Sequence, residues 1–171
     1  ARLAAILIMV ALAGVAVFLL IEGLPGLSAP ADVYRPADSF WSYVGPLVFG
    51  TILAAVVALV IAVPFSIGVA LFISHYAPPR LAAPIAYVID LLAAIPSVVY
   101  GLWGGLALAG AMRPVLDWLY GNLSFIPFFA GPPSVTGRTM LTAGIVLAIM
   151  VIPITTAISR EVFAQTPRLH E

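Results

Sequence analysis

The residues best suited to chemistry in this chain lie between Ile89 and Gly105, in the segment IDLLAAIPSVVYGLWGG. An acid (Asp90), a Pro-Ser pair (Pro96, Ser97), a tyrosine (Tyr100) and three glycines (Gly101, Gly104, Gly105) interrupt an otherwise apolar run. In hydrocarbon each interruption costs stability, because a carboxyl must be desolvated and a proline leaves a backbone carbonyl without its donor. A helix that only anchored the chain in lipid would need none of them. The run therefore reads as a helix that lines a path or moves.

Counted from Leu81 at a membrane face, Asp90 lies about nine residues in, roughly 13 Å at 1.5 Å per residue, which is close to the midplane. An acid there is either a gate or paired charge on a pathway, or a protonated carboxyl that fixes packing through a hydrogen bond. Alone it would repel an anion, so a gate or ion pair suits it better than a binding role. Pro96 removes a donor, and Ser97 can cap a helix that restarts after it. A true break would present the positive end of a half-helix within the membrane, the arrangement that receives anionic groups in transporters. A simple proline kink is the other reading. Ser97 and Tyr100 are pathway candidates on the first reading only. Gly101 and Gly105 form a small-xxx-small pair, with Gly104 beside it, that suits close helix packing against a partner helix.

Other chemistry is absent from the sequence. There is no phosphate-cradling GxxxxGK[ST] and no GxSxG, and His75 and His170 stand far apart without metal-ligand spacing. With no cysteine there is no thiolate site and no disulfide framework. No cofactor is expected. All seven basic residues are arginines, scattered singly in a chain of zero net charge, so nucleic acid is not an expected partner.

The elements that must position these residues are membrane helices. The chain of 171 residues is 63% hydrophobic and 8% charged, with mean hydropathy +1.17, whereas soluble domains carry roughly a quarter charged residues. Its solvent is lipid. A span needs about 20 apolar residues, and four stretches qualify: about 3–21, 44–74, 81–111 and 139–159. Pro64 is expected to kink the second. Between the first two lies an outer loop whose Tyr34, Trp41 and Tyr43 suit an interfacial belt. The segment 112–138 reads as a second loop, too apolar to be freely solvated and too broken by Pro and Gly to span. An N-terminus inside puts Arg2, Arg80, Arg160 and Arg168 in the cytoplasm, against Arg35, Arg113 and Arg138 outside, a small bias toward that orientation. No linker or repeat marks a second domain. The expectation is an all-α, polytopic helical bundle in one membrane domain.

The residues also resemble a family. LLAAIPSVVYGLWG (Leu91 to Gly104) is similar to the signature of phosphate-specific ABC transporter permeases, the C-type subunit most of all. GTILAAVVALVIAVPFSIGVALFIS (Gly50 to Ser74), with Thr51, Pro64 and Gly68, and IMVIPITTAISREVFAQTPRLHE (Ile149 to Glu171) agree with it. The resemblance implies a type I importer permease fold of six membrane helices, about four of them present here, with the chain stopping where the cytoplasmic EAA loop would begin. It implies a role in moving inorganic phosphate across a bacterial cytoplasmic membrane. The implied partners are an A-type second permease subunit, two ATPase subunits that hydrolyse ATP on their own chains, an extracytoplasmic phosphate-binding protein and membrane lipid. Arg160, Glu161, Arg168 and Glu171 are the implied ATPase-coupling residues, though Arg160 also reads as an ordinary inside anchor. The same fold could carry sulfate or molybdate, and a scaffold subunit without its own pathway is the alternative from another class.

Overall fold

The structure is a computed structural model that describes residues 2–165; Arg168 and Glu171, two of the implied coupling residues, lie outside them. Among the described residues six α-helices run in the order α1 (Arg2–Gly23), α2 (Phe40–Leu71), α3 (Pro79–Ala93), α4 (Ser97–Trp103), α5 (Ala109–Leu123) and α6 (Met140–Gln165). No strand occurs among the described residues. Among the described residues three helices are long and apolar enough to cross a membrane, or four if the bent segment from Pro79 to Leu123 counts as one span. The chain is an all-α polytopic membrane protein. Its residues group into two compact units, 1–49 and 50–171.

In the first unit α1 is apolar on every side, and from Leu3 onward each of its side chains is exposed, as suits a helix surrounded by lipid. Two short 3-10 turns come next, Leu24–Ser28 and Ala31–Tyr34. The Tyr34 hydroxyl donates to the Gly26 carbonyl, and the Tyr34 ring packs 5.9 Å from both Phe40 and Tyr43. The expected aromatic belt is thus a contact cluster at the entry to α2. That entry is capped reciprocally: Ser39 Oγ accepts from Ser42 N at 3.3 Å, and Ser42 Oγ accepts from Ser39 N at 3.0 Å.

The second unit is built on a seam of small residues. The buried positions of α2 recur every fourth residue and all are small: Gly50, Ala54, Ala58, Ala62, Ser66 and Ala70. On α6 the facing positions include Gly144, Ala148 and Thr156. Ala58, Ala62 and Ala148 form the buried core, with Leu147, Val151 and Ile152 packed around it. A Cβ on Gly144 would stand 2.7 Å from Val57 Cγ1 and 2.9 Å from Val57 Cβ, closer than side chains tolerate. Gly50 likewise meets the Met140 side chain, and Ser66 Oγ donates to the Ile152 carbonyl at 3.2 Å. From the first of these pairs to the last both helices advance together, so α2 and α6 are parallel. In lipid there is little hydrophobic drive between helices, so close van der Waals contact of this kind must hold them.

Helices α4 and α5, joined by a π-helical turn at Gly104–Leu108, return antiparallel to α6. Gly104 packs against Val146, and near the start of α6 Gly137 approaches Ala109. Gly137 has φ of 72°, and a Cβ there would run into the Ala109 carbonyl, so only glycine serves. Thr139 Oγ1 accepts from Thr142 N at 3.2 Å and caps α6.

Two features differ from the sequence expectation. The third apolar segment is not one helix over 81–111, because the chain breaks at 94–96. The helix after the break runs to Leu123, so 112–123 is helical and the loop is confined to 124–138; Pro114 is tolerated within α5. Helix α2 continues through Pro64 to Leu71, where a π-helical turn (Phe72–Tyr76) ends it.

The seam yields a direct test. Ala62 has no exposed surface, so Ala62→Leu should lower stability by about 2 kcal/mol through overpacking. Gly68 has open space around it, so Gly68→Ala should leave stability unchanged or raise it. Thermal unfolding in detergent reads both.

Candidate functional site

The break at 94–96 is where the unusual residues meet. Helix α3 ends at Ala93, with Ala94 N donating to the Asp90 and Leu91 carbonyls at 3.2 Å and Ile95 N to Leu92 at 3.2 Å. Pro96 is extended, with φ of −56° and ψ of 135°, and the next helix starts at Ser97. The two halves are bent by 85°. At 15 residues α3 is roughly 22 Å long, shorter than the ~30 Å hydrocarbon core, whereas Ser97 to Leu123 extends roughly 40 Å. The helix after the break is therefore the longer half of the bent pair, and α3 lies crosswise to it.

Ser97 does not cap that helix. It occupies the first helical position behind Pro96, and no side-chain cap bond forms there. Tyr100 fills a different need. In a continuous helix residue 96 would donate to the Leu92 carbonyl, which proline cannot do. The Tyr100 hydroxyl donates to that carbonyl at 2.9 Å, beside the Ile95 N–H that also reaches it. A side chain one turn into the second helix thus ties it to the last turn of the first.

Asp90 is not isolated. A single Arg160 nitrogen, Nη2, lies 3.1 Å from its Oδ1 and 3.3 Å from its Oδ2. The Asp90 side chain is 54% exposed and that of Arg160 22%. The depth count that put Asp90 near the midplane assumed a straight span, and the 85° bend removes that assumption. Asp90 stands instead beside Arg160, five residues before the end of the described α6. Glu161 is exposed and accepts a hydrogen bond from Gln165 Nε2 at 2.9 Å. Close to Arg160, the Phe163 ring meets His75 edge-on at 6.0 Å. The ends of α2 and α3 therefore both reach the last turns of α6.

The glycines divide. Gly104 makes the close contact, against Val146, while a Cβ on Gly101 or Gly105 would meet nothing within 4 Å. The Gly101–Gly105 face is open in this chain. The Gly105 carbonyl, inside the π-helical turn, is approached by Arg138 Nη2 at 3.5 Å.

At the other end of α6 a cavity of about 460 Å³ opens between Leu53, Val57, Leu116, Tyr120, Phe128 and Met140. The segment 124–138 helps to close it, which explains the apolar character of that stretch. Sequence reasoning missed the α2 seam, whose signal was residue size at every fourth position, and the Ser66 and Thr156 hydroxyls within it. Thr156 Oγ1 is fully buried without a hydrogen-bond partner.

Among the described residues, three apolar spans, a crosswise broken helix and a close-packed small-residue seam define an all-α polytopic membrane protein. The chain is 43% identical over 170 residues to the phosphate transport system permease protein PstC 2 of Mycobacterium tuberculosis, covering 94% of this chain and 52% of that protein. It is 34% identical over 177 residues to PstC of Mesorhizobium japonicum, covering 97% and 53%, and 42% identical over 139 residues to PstC of Xylella fastidiosa, covering 78% and 42%. Over most of its length the chain is thus similar to PstC phosphate transport system permease proteins. It spans about half the length of the curated relatives it matches. No protein-family model and no solved structure matches it.

The role assigned to Tyr100 can be measured. Tyr100→Phe should cost about 1 kcal/mol by removing one neutral hydrogen bond. In a Pro96→Ala background, where residue 96 regains its N–H, that cost should shrink. A double-mutant cycle on thermal unfolding reads the difference, and an undiminished cost would show that the hydroxyl does not replace the missing donor.

Proposed function

We propose that this chain is part of the permease subunit of an ATP-driven importer that moves inorganic phosphate across a bacterial cytoplasmic membrane. The reading rests chiefly on one observation, the 43% identity over 94% of the chain to a permease named for phosphate transport. The architecture is compatible with it. A broken helix, with its side chains held by cross-links rather than by lipid, suits a wall that must rearrange.

In this reading the N-terminus is cytoplasmic, so α2 and α6 run inward and the helix from Ser97 to Leu123 runs outward. Arg80 and Arg160 then fall on the cytoplasmic side, in keeping with the arginine bias. Asp90, Pro96, Ser97 and Tyr100 form the gate region, and the open Gly101–Gly105 face receives a helix of an A-type second permease subunit. ATP is hydrolysed on two separate ATPase subunits, toward which Arg160, Glu161, Arg168 and Glu171 are directed. An extracytoplasmic binding protein delivers phosphate from outside.

The test is uptake by the full complex. Expression of the complete gene with its partner subunits, in cells deleted for their own phosphate permease, should restore uptake of radiolabelled phosphate. Excess sulfate should not compete. Uptake of sulfate or molybdate in place of phosphate would overturn the substrate, and ATP hydrolysis stimulated by neither anion would favour a scaffold.

A further inference from the structure

The Asp90–Arg160 pair joins two elements whose other contacts are shallow. No residue of α3 is fully buried, although α3 packs against α6. Apolar contact alone holds such a helix loosely, because lipid tails compete on equal terms with apolar side chains. A charge-assisted bond is directional and fixes one register. Arg160 is mostly covered, so parting from Asp90 would leave its charge with little access to water, which is more costly than keeping the pair.

The position of the pair matters more than its strength. The main-chain carbonyl of Asp90 accepts from Ala94 in the last turn before the break. Its side chain reaches α6. Two residues later in the chain, the Leu92 carbonyl receives the Tyr100 hydroxyl from beyond the break. A continuous path of hydrogen bonds and short backbone segments thus runs from Arg160 through Asp90 and Leu92 to Tyr100. It connects the last turns of α6 to the first turn of the helix beyond the break.

We propose that the Asp90–Arg160 ion pair is a fixed link that carries movement of the end of α6 to the break at 94–96, and so positions the helix beginning at Ser97. The proposal deepens the transport reading and rests on it, because the end of α6 is taken to face the ATPases. Both residues are positioning residues; neither is required to touch the transported anion.

The test uses the complete complex with Asp90→Asn, with Arg160→Gln, and with the exchanged pair Asp90→Arg/Arg160→Asp. Each single variant should assemble yet lower the phosphate taken up per ATP hydrolysed by about tenfold, the size of an ordinary coupling between sites. The exchanged pair should recover most of that ratio, which a merely structural loss would not do. A second readout is independent of transport. The 171 residues contain no cysteine, so Val98→Cys, at a site 77% exposed just past the break, gives a reporter thiol. Its labelling rate should shift in the same direction in both single variants and return in the exchanged pair. Unchanged ratios and labelling in the single variants, or an exchanged pair no better than either, would overturn the link. If the unaltered complex carries no phosphate, the transport reading fails, and the labelling arm decides the link by itself.

Discussion

Inside a bilayer no water is available to repair a broken hydrogen bond, so each backbone donor and acceptor must find a partner in the protein. Much of this fold obeys that constraint. Before Pro96 a tyrosine hydroxyl adds a second donor to the Leu92 carbonyl, beside the Ile95 N–H. In the π-helical turn at Gly104–Leu108 an arginine from the start of α6 approaches the Gly105 carbonyl. One residue before Pro153, a serine of α2 adds a bond to the Ile152 carbonyl. The starts of α2 and α6 are closed by Ser-x-x-Ser and Thr-x-x-Thr caps. These side chains allow irregular backbone to persist where lipid would otherwise enforce straight helices.

That division explains what the sequence reveals and what it hides. The interruption at Pro96 was legible because proline and glycine act locally and leave a mark in the residues themselves. Its consequence was not: a count of residues gives Asp90 a depth only for an upright helix, and the sequence does not disclose that α3 meets the next helix at 85°. The partner of Asp90 lies 70 residues away, beyond anything spacing can disclose. Residues 112–123 looked like loop because Pro114 and Gly121 are there, but the helix begun at Ser97 supplies enough bonds to carry it through. The seam of α2 was in plain view and still silent. Helix α2 is apolar all round, so no alternation of polarity marks the buried face, and only the small size of every fourth residue does. The Gly101–Gly105 pair has the same small-residue pattern, yet within the described residues the close contact falls on Gly104. Pattern names a surface that permits close approach, and only a neighbour makes it an interface.

Likeness to relatives and geometry contribute different things. The comparison places PstC permeases beside this chain over most of its length. It says nothing about which contacts hold a crosswise helix in register or why a tyrosine must stand one turn beyond the break. Those come from distances, and they concentrate at the last turns of α6, where α2 arrives through His75 and α3 through Asp90.

The seam between α2 and α6 has a thermodynamic consequence. Helices that associate within lipid exchange contact with acyl chains for contact with each other, and no apolar surface leaves water. The heat-capacity change that gives soluble proteins their curved stability profile arises from hydrating that surface. Parting α2 from α6 inside the membrane should therefore carry a small heat-capacity change, and the enthalpy of close packing should dominate it. Cooling, which weakens a water-driven core, would leave a contact built from Ala58, Ala62 and Ala148 nearly untouched.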